Sequence, residues 1–201
     1  MITVHVVDDD ADFRIAIGRL LKAAGYRVEL YESAAQLLDH PPSDEEPGCV
    51  LLDVRMPNVS GTEVQDQLAE RAPLLPIVFL TGHGDIPTSV RAMKAGAEDF
   101  LTKPVEKDRL VAAIERAVAD HAAKRERVRR LRRLRDLVST LTPRERQVFE
   151  LVVRGKLNKQ IAFDLGTSER TVKAHRLKVM EKFGVRSLAE LVTAAERLGV
   201  V

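Results

Sequence analysis

Apolar positions change their period along this chain, and the changes mark its elements. Ile2-Thr3-Val4-His5-Val6-Val7 is short and β-branched and predicts a strand. Phe13, Ile17, Leu20, Leu21 and Ala24 then recur on one helical face until Gly25 stops them. Arg27 to Tyr31 alternates, with Val28 and Leu30 apolar, and predicts a second strand; Ala34 to Asp39 predicts a short helix. The Pro- and acid-rich stretch from His40 to Gly48 reads as a loop. The cycle then repeats: a strand over Cys49–Leu52, a helix near Gly61–Arg71, a strand over Ile77–Leu80, a helix near Ile86–Ala95, a short strand around Phe100 and Leu101, and a helix from Glu106 onward. Strand–helix alternation over ~120 residues predicts an α/β fold, a (βα)5 doubly wound parallel sheet with helices on both faces.

The remainder follows the helical period alone. Residues 119–138 form helix and are strongly basic, with eight Lys and Arg against three Asp and Glu. Leu131, Leu134, Val138 and Leu141 there are spaced 3, 4 and 3, as in a coiled-coil seam. No large apolar residue lies between Val118 and Val128, whereas a coiled coil needs several sustained heptads. The pattern favours a solvated helical linker and leaves a dimeric coil open. Thr142-Pro143-Arg144-Glu145 is a helix start, with Thr at the N-cap, Pro first and Glu third; Gly155 ends that helix. Helices over about 158–165, 169–183 and 188–198 follow, the first two separated by Gly166-Thr167-Ser168. Two helices joined by a tight Gly-containing turn make a helix-turn-helix. Ile161, Ala162, Leu165, Val172, Leu177, Val179 and Met180 supply apolar positions to pack the pair. The organisation expected is therefore a domain over 1–118, a basic helical linker over 119–138 and an all-α four-helix domain over 139–201.

Charge sharpens that division. The chain's net charge of +2 hides a net of −8 over residues 1–118 and of +10 over residues 119–201. A basic half carrying a helix-turn-helix points to double-stranded DNA. The first residues lack the basic start of a secretory signal, and no run approaches the ~18 apolar residues of a membrane span. With Cys49 as the sole cysteine there is no disulfide framework, and its apolar run marks it as a buried thiol. The cytoplasm is the expected location, with no membrane partner.

Ligands of open α/β sheets bind beyond the carboxyl ends of the strands. This chain places Asp8, Asp9 and Asp10 after the first strand and Asp53 at the end of the third. Thr81-Gly82-His83-Gly84-Asp85 follows the fourth, and Lys103-Pro104 the fifth. A lone Asp there is ordinarily a helix cap or turn residue; four strand ends coinciding is a constellation. Clustered carboxylates need a cation, and an all-oxygen donor set suits Mg2+, which keeps waters for a phosphate. A carboxylate is a competent phosphoryl acceptor, whose oxygens the ammonium of Lys103 and the hydroxyl of Thr81 can meet. Gly82 and Gly84 leave backbone free to approach the phosphate. Asp10 is expected to cap the first helix.

The motifs Val6-Val7-Asp8-Asp9, Asp53 to Gly61, Thr81 to Asp85, Lys94-Ala95-Gly96-Ala97 and Phe100-Leu101-Thr102-Lys103-Pro104 resemble the receiver domains of two-component response regulators. The resemblance implies that Asp53 is the phospho-acceptor, charged by a sensor histidine kinase. It implies that Asp9, Asp53 and the backbone carbonyl of Arg55 hold Mg2+, with Asp8 acting through water. Thr81 and Lys103 would sense the phosphate, Phe100 would be the switch aromatic, and Lys103-Pro104 would be cis. Leu141-Thr142-Pro143-Arg144-Glu145, Asn158 to Ala162, Arg170 to His175 and Val185-Arg186-Ser187 resemble the LuxR-type helix-turn-helix, and the whole chain is similar to the FixJ subgroup. That resemblance implies a recognition helix near 169–183, with Lys173, Ala174 and Leu177 facing bases. Thr171, His175, Arg176, Lys178, Asn158 and Lys159 would lie near the backbone or groove edge. Leu177 departs from relatives that carry a polar or basic reader there.

The expectation is a transcriptional regulator rather than an enzyme. Phosphorylation draws Thr81 and Phe100 inward, reshapes the surface of the fourth helix, fifth strand and fifth helix, and promotes homodimerisation and promoter binding. RNA polymerase is a further partner. Attraction between the −8 and +10 halves is a means of holding the unphosphorylated form closed. Two rivals remain: a Mg2+-dependent phosphohydrolase, whose nucleophile would follow the first strand as Asp8 or Asp10, and a receiver whose basic half binds protein.

Overall fold

The computed structural model describes residues 1–43, 45–57, 59–82 and 86–200; His83, Gly84 and Asp85 of the motif after the fourth strand, and Asn58, lie outside them. The elements run β1 (Thr3–Val7), α1 (Ala11–Ala23), β2 (Arg27–Tyr31), α2 (Ala34–Asp39), β3 (Gly48–Asp53), α3 (Gly61–Arg71), β4 (Ile77–Thr81), α4 (Ile86–Lys94), β5 (Asp99–Thr102) and α5 (Lys107–Ser139). Then come α6 (Pro143–Val153), α7 (Asn158–Asp164), α8 (Glu169–Phe183) and α9 (Leu188–Leu198). Contacts divide the chain into two compact units, Met1–Glu126 and Arg127–Val201.

In the first unit all strands are parallel, in the order β2-β1-β3-β4-β5. β1, β3 and β4 are buried on both faces and read as continuous apolar runs for that reason. Edge strand β2 exposes Arg27 and Glu29, which blunt it against pairing with other chains. Alternate side chains feed two cores. Val50, Leu52 and Phe79 pack with Leu37, Val64 and Leu68 on the α2–α3 side. Val4, Val6, Leu51, Val78 and Leu80 pack with Ile17, Leu21, Leu110 and Ile114 on the α1–α5 side. Each of the fully buried Leu and Ile side chains contributes ~2 kcal/mol of transfer free energy. Ala24, predicted on the buried face of α1, is exposed because it is the C-cap where the helix turns away at Gly25. Cys49 is buried, and burial pushes its thiol up to about 12.

The second unit has a single core of Val148, Phe149, Val152, Ile161, Val172, Val179, Phe183 and Leu191, with Phe149 stacked on Phe183 at 5.2 Å. Leu134, Leu137, Val138 and Leu141 pack against or within this core. Most of the apolar residues spaced like a coiled-coil seam are thus used inside their own domain. Leu177 was expected to help pack α7 on α8; instead it is 60% exposed, because Val172 and Val179 already fill the face of α8 turned to the core.

Candidate functional site

The strand order reverses between β1 and β3, where Val7 lies in register with Leu52. Asp8, just past β1, and Asp53, the last residue of β3, therefore flank the switch-point crevice. Ligand oxygens of Asp8, Asp9 and Asp53 all lie within 4.8 Å of one another, with Asp9 exposed and the other two buried. The residue just past β5 supplies the cation: Lys103 Nζ lies 2.5 Å from Asp8 Oδ2 and 3.2 Å from Asp53 Oδ2. Thr81, buried at the end of β4, accepts the Lys103 backbone N–H on its carbonyl at 2.6 Å. The Lys103–Pro104 peptide is cis.

Burial holds the Asp53 carboxyl above its ordinary range. The Lys103 ammonium pulls it back, the neighbouring Asp8 raises it further, and the Arg55 backbone N–H lowers it. The environments of the aspartates differ in what is left for chemistry. Asp10 is spent as N-cap of α1, accepting the N–H groups of Asp12 and Phe13. Asp8 is fully enclosed, taking the Asp10 N–H at 3.1 Å on Oδ1 and Lys103 on Oδ2. Asp53 is buried but not fully enclosed, at 7% exposure, and sits beside the exposed Asp9. Three carboxylates with no nitrogen or sulfur donor among them fit a hard divalent ion such as Mg2+.

Several supports were not read from the sequence. The Phe13 ring lies under Lys103 Nζ at 4.2 Å, and Arg14 donates to the Asp8 carbonyl at 2.6 Å. The first turn of α1 follows β1 directly, so its spacing already set these two side chains at the same sheet edge. Gly61 fits where a Cβ would stand 2.5 Å from the Asp53 carbonyl oxygen and 2.9 Å from Phe79. Phe100 is half-buried, its ring centroid 6.1 Å from that of Phe79. Gln65 donates to the Ala92 carbonyl and Arg91 to Thr62 Oγ1, tying α3 to α4 across distances that no local pattern reports. Gly82 has open space where a side chain would be.

In the second unit Ser168 caps α8, and Gly184 closes it in the left-handed conformation. Lys173, Ala174, Leu177 and Lys178 are exposed along it, while Thr171, His175 and Arg176 are half-buried. Arg176 Nη1 donates to Asn158 Oδ1 at 2.8 Å, which joins the start of α7 to the middle of α8; Lys159 beside it is exposed. The capping box of Thr142 and Glu145 is formed, and Glu145 Oε2 also accepts from Lys182 Nζ at 2.6 Å. Lys182 donates as well to the Thr140 carbonyl at 2.7 Å, so the last turn of α8 is fastened to the junction of α5 and α6.

An acidic switch-point crevice with an adjacent lysine, on one unit, and a capped helix-turn-helix with a basic outer face, on the other, define a phosphorylation-responsive DNA-binding regulator. The family of response regulator receiver domains matches residues 4–115, and that of bacterial regulatory proteins of the luxR type matches residues 139–195. The chain belongs to the response regulators that join a receiver to a LuxR-type DNA-binding domain. It is similar to the transcriptional regulatory protein FixJ of Bradyrhizobium diazoefficiens, with 44% identity over 98% of this chain and 96% of that protein. The response regulator protein TodT of Pseudomonas putida F1 is 43% identical over 97% of this chain and 86% of its own length. Among solved structures, the response regulator StyR covers 98% of both chains with a TM-score of 0.87 and 48% identity.

Proposed function

We propose that Asp53 accepts a phosphoryl group from a sensor histidine kinase and that this controls promoter binding by α8. The observation that carries the reading is the placement of Lys103 between two buried carboxylates at a sheet switch point, with an exposed third carboxylate beside them. Asp9, Asp53 and the Arg55 carbonyl would hold Mg2+, with Asp8 joined through water. Bound there, the ion supplies charge neutralisation for an incoming phosphoryl group. Lys103 holds Asp53 in place before transfer and meets the phosphoryl oxygens after it. Thr81 supplies a hydroxyl from the adjacent strand, and its displacement lets Phe100 turn inward against Phe79. The aspartyl phosphate is a signal and not a turnover intermediate, so the protein acts as a regulator and not as an enzyme.

In this reading the receiver occupies 1–118, the basic helical linker 119–138 and the DNA-binding domain 139–201. Lys173, Ala174 and Leu177 face bases, while Thr171, His175, Arg176, Lys178, Asn158 and Lys159 meet the backbone and groove edge. Phosphorylation promotes a homodimer on a two-fold promoter site, where RNA polymerase is the further partner. No described helix is long and apolar enough to cross a membrane. The cytoplasm, where promoter DNA lies, is the proposed place of action.

Intact mass after incubation with acetyl phosphate tests the chemistry, with and without Mg2+, on wild type and Asp53→Ala. The expected result is one Mg2+-dependent phosphoryl group, absent from the variant. A phosphoryl group that persists in Asp53→Ala refutes the assignment.

A further inference from the structure

We infer that the arginine-rich turns of α5 are a second DNA-contacting surface, which grips phosphates outside the helix-turn-helix. This rests on the reading of the second unit as a DNA-binding domain. That unit, Arg127–Val201, carries 18 Lys and Arg, and six of them crowd into residues 127–135 as Arg127, Arg129, Arg130, Arg132, Arg133 and Arg135. All six are exposed. At three- and four-residue spacings along a helix these arginines neighbour one another, an arrangement that self-repulsion destabilises. Arg127, Arg130 and Arg133 form no ion pair among the described residues. A helix that concentrates cations in this way complements a polyanion.

Two features direct the choice to DNA. The arginines belong to the same compact unit as α8. They are also held in fixed relation to it, because Leu134, Leu137 and Val138 pack on the core of that unit. Lys182 of α8 in turn bonds the Thr140 carbonyl just past the end of α5. At 1.5 Å per residue, the stretch from Arg127 to Arg135 spans ~12 Å. Duplex DNA presents a charge every ~1.7 Å of its axis, so several phosphates fall within that length. The contacts are sequence-independent and add affinity and salt sensitivity, while α8 supplies the base code.

The test is the salt dependence of binding by the full chain to a nonspecific DNA duplex. Wild type is compared with a triple variant, Arg127→Gln, Arg130→Gln and Arg133→Gln, which keeps helix propensity. A charge-matched control carries Arg19→Gln, Lys22→Gln and Arg27→Gln, three exposed cations of the first unit. Circular dichroism verifies that helix content is kept. If each arginine meets one phosphate, the slope of log K against log salt becomes shallower by about 2.7. Between 50 and 200 mM salt, wild type then loses about 40-fold more affinity than the triple variant. The control keeps the wild-type slope. A triple variant with the wild-type slope overturns the inference, as does a control that shifts equally. Tighter binding by the triple variant also overturns it, because the arginines would then face an acidic protein surface. Wild type that binds no duplex at any salt refutes the DNA-binding reading itself, which separates the two failures.

Discussion

Glu145 lies at the junction of three segments of the second unit, and its removal is expected to loosen α8. Its carboxylate accepts the Thr142 N–H at 2.9 Å, closing the capping box of α6, and accepts from Lys182 of α8 at 2.6 Å. The Lys182 bond, the Thr142 N–H and the ammonium charge together hold this carboxyl down at about 2, against an ordinary 4.5. The native state therefore binds fewer protons than the unfolded chain between those two values. The stabilisation is fully present above pH ~4.5 and is lost as pH falls toward ~2. The full shift corresponds to ~3 kcal/mol by linkage. Lys182 is one-third exposed, so solvent screening reduces this to ~1–2 kcal/mol. Glu145→Gln keeps the size and an acceptor for the cap but removes the charge. Native-state hydrogen exchange on the full chain isolates this domain through the amides of α6 and α8. At pH 6 those amides should exchange about 5- to 30-fold faster in the variant, the equivalent of ~1–2 kcal/mol. Urea unfolding of wild type should show the second domain weakening from pH 5 to pH 3, with that part of the slope missing in Glu145→Gln. Equal protection at pH 6, or an equal pH slope, refutes the assigned role of Glu145.

Other expectations follow from particular contacts. Gly61→Ala places a methyl against the Asp53 carbonyl and Phe79, and should cost ~3 kcal/mol in urea unfolding together with a large loss of phosphorylation rate; a neutral effect would mean that the β3–α3 corner can shift. Cys49 should resist alkylation at pH 8 in the native protein and react at once in denaturant, and labelling without unfolding would contradict its burial. Asn158→Ala removes the anchor of Arg176, at ~1 kcal/mol of stability, and should weaken binding by less than tenfold with little change in base preference; a change confined to one base position would place Arg176 among the base readers.

The fold was legible largely because local signals agreed with the global arrangement. Thr142 with Glu145 forms the reciprocal cap that its spacing predicts, and α8 ends at Phe183, where the helical pattern ends. The acidic edge was legible through topology: no single aspartate is diagnostic, but parallel strands bring their carboxyl ends to one side. What the sequence hid is long-range. Phe13 and Arg14 support Lys103 and Asp8 from α1, and Gln65 and Arg91 fasten α3 to α4, through partners that periodicity does not name. Ala24 and Leu177 misled for one reason: apolar spacing identifies a face, but caps and already filled cores decide which members of it are covered.

Charge balance explains why the crevice is suited to switching. Among the described residues, Asp8, Asp9 and Asp53 are served by one ammonium, that of Lys103, and burial holds the Asp53 carboxyl up although that ammonium pulls it down. A divalent ion held there would remove the excess of two negative charges. A phosphoryl group on Asp53, as proposed, would then add about one charge back. The cations nearest to hand determine where that charge is accommodated, and Lys103 already touches both Asp8 and Asp53. In the proposed function, phosphorylation would therefore redistribute the bonds of Lys103, whose backbone N–H is fixed to Thr81 and which directly follows the strand that carries Phe100. The electrostatic demand of the phosphoryl group would in this way be delivered to β4 and β5 together.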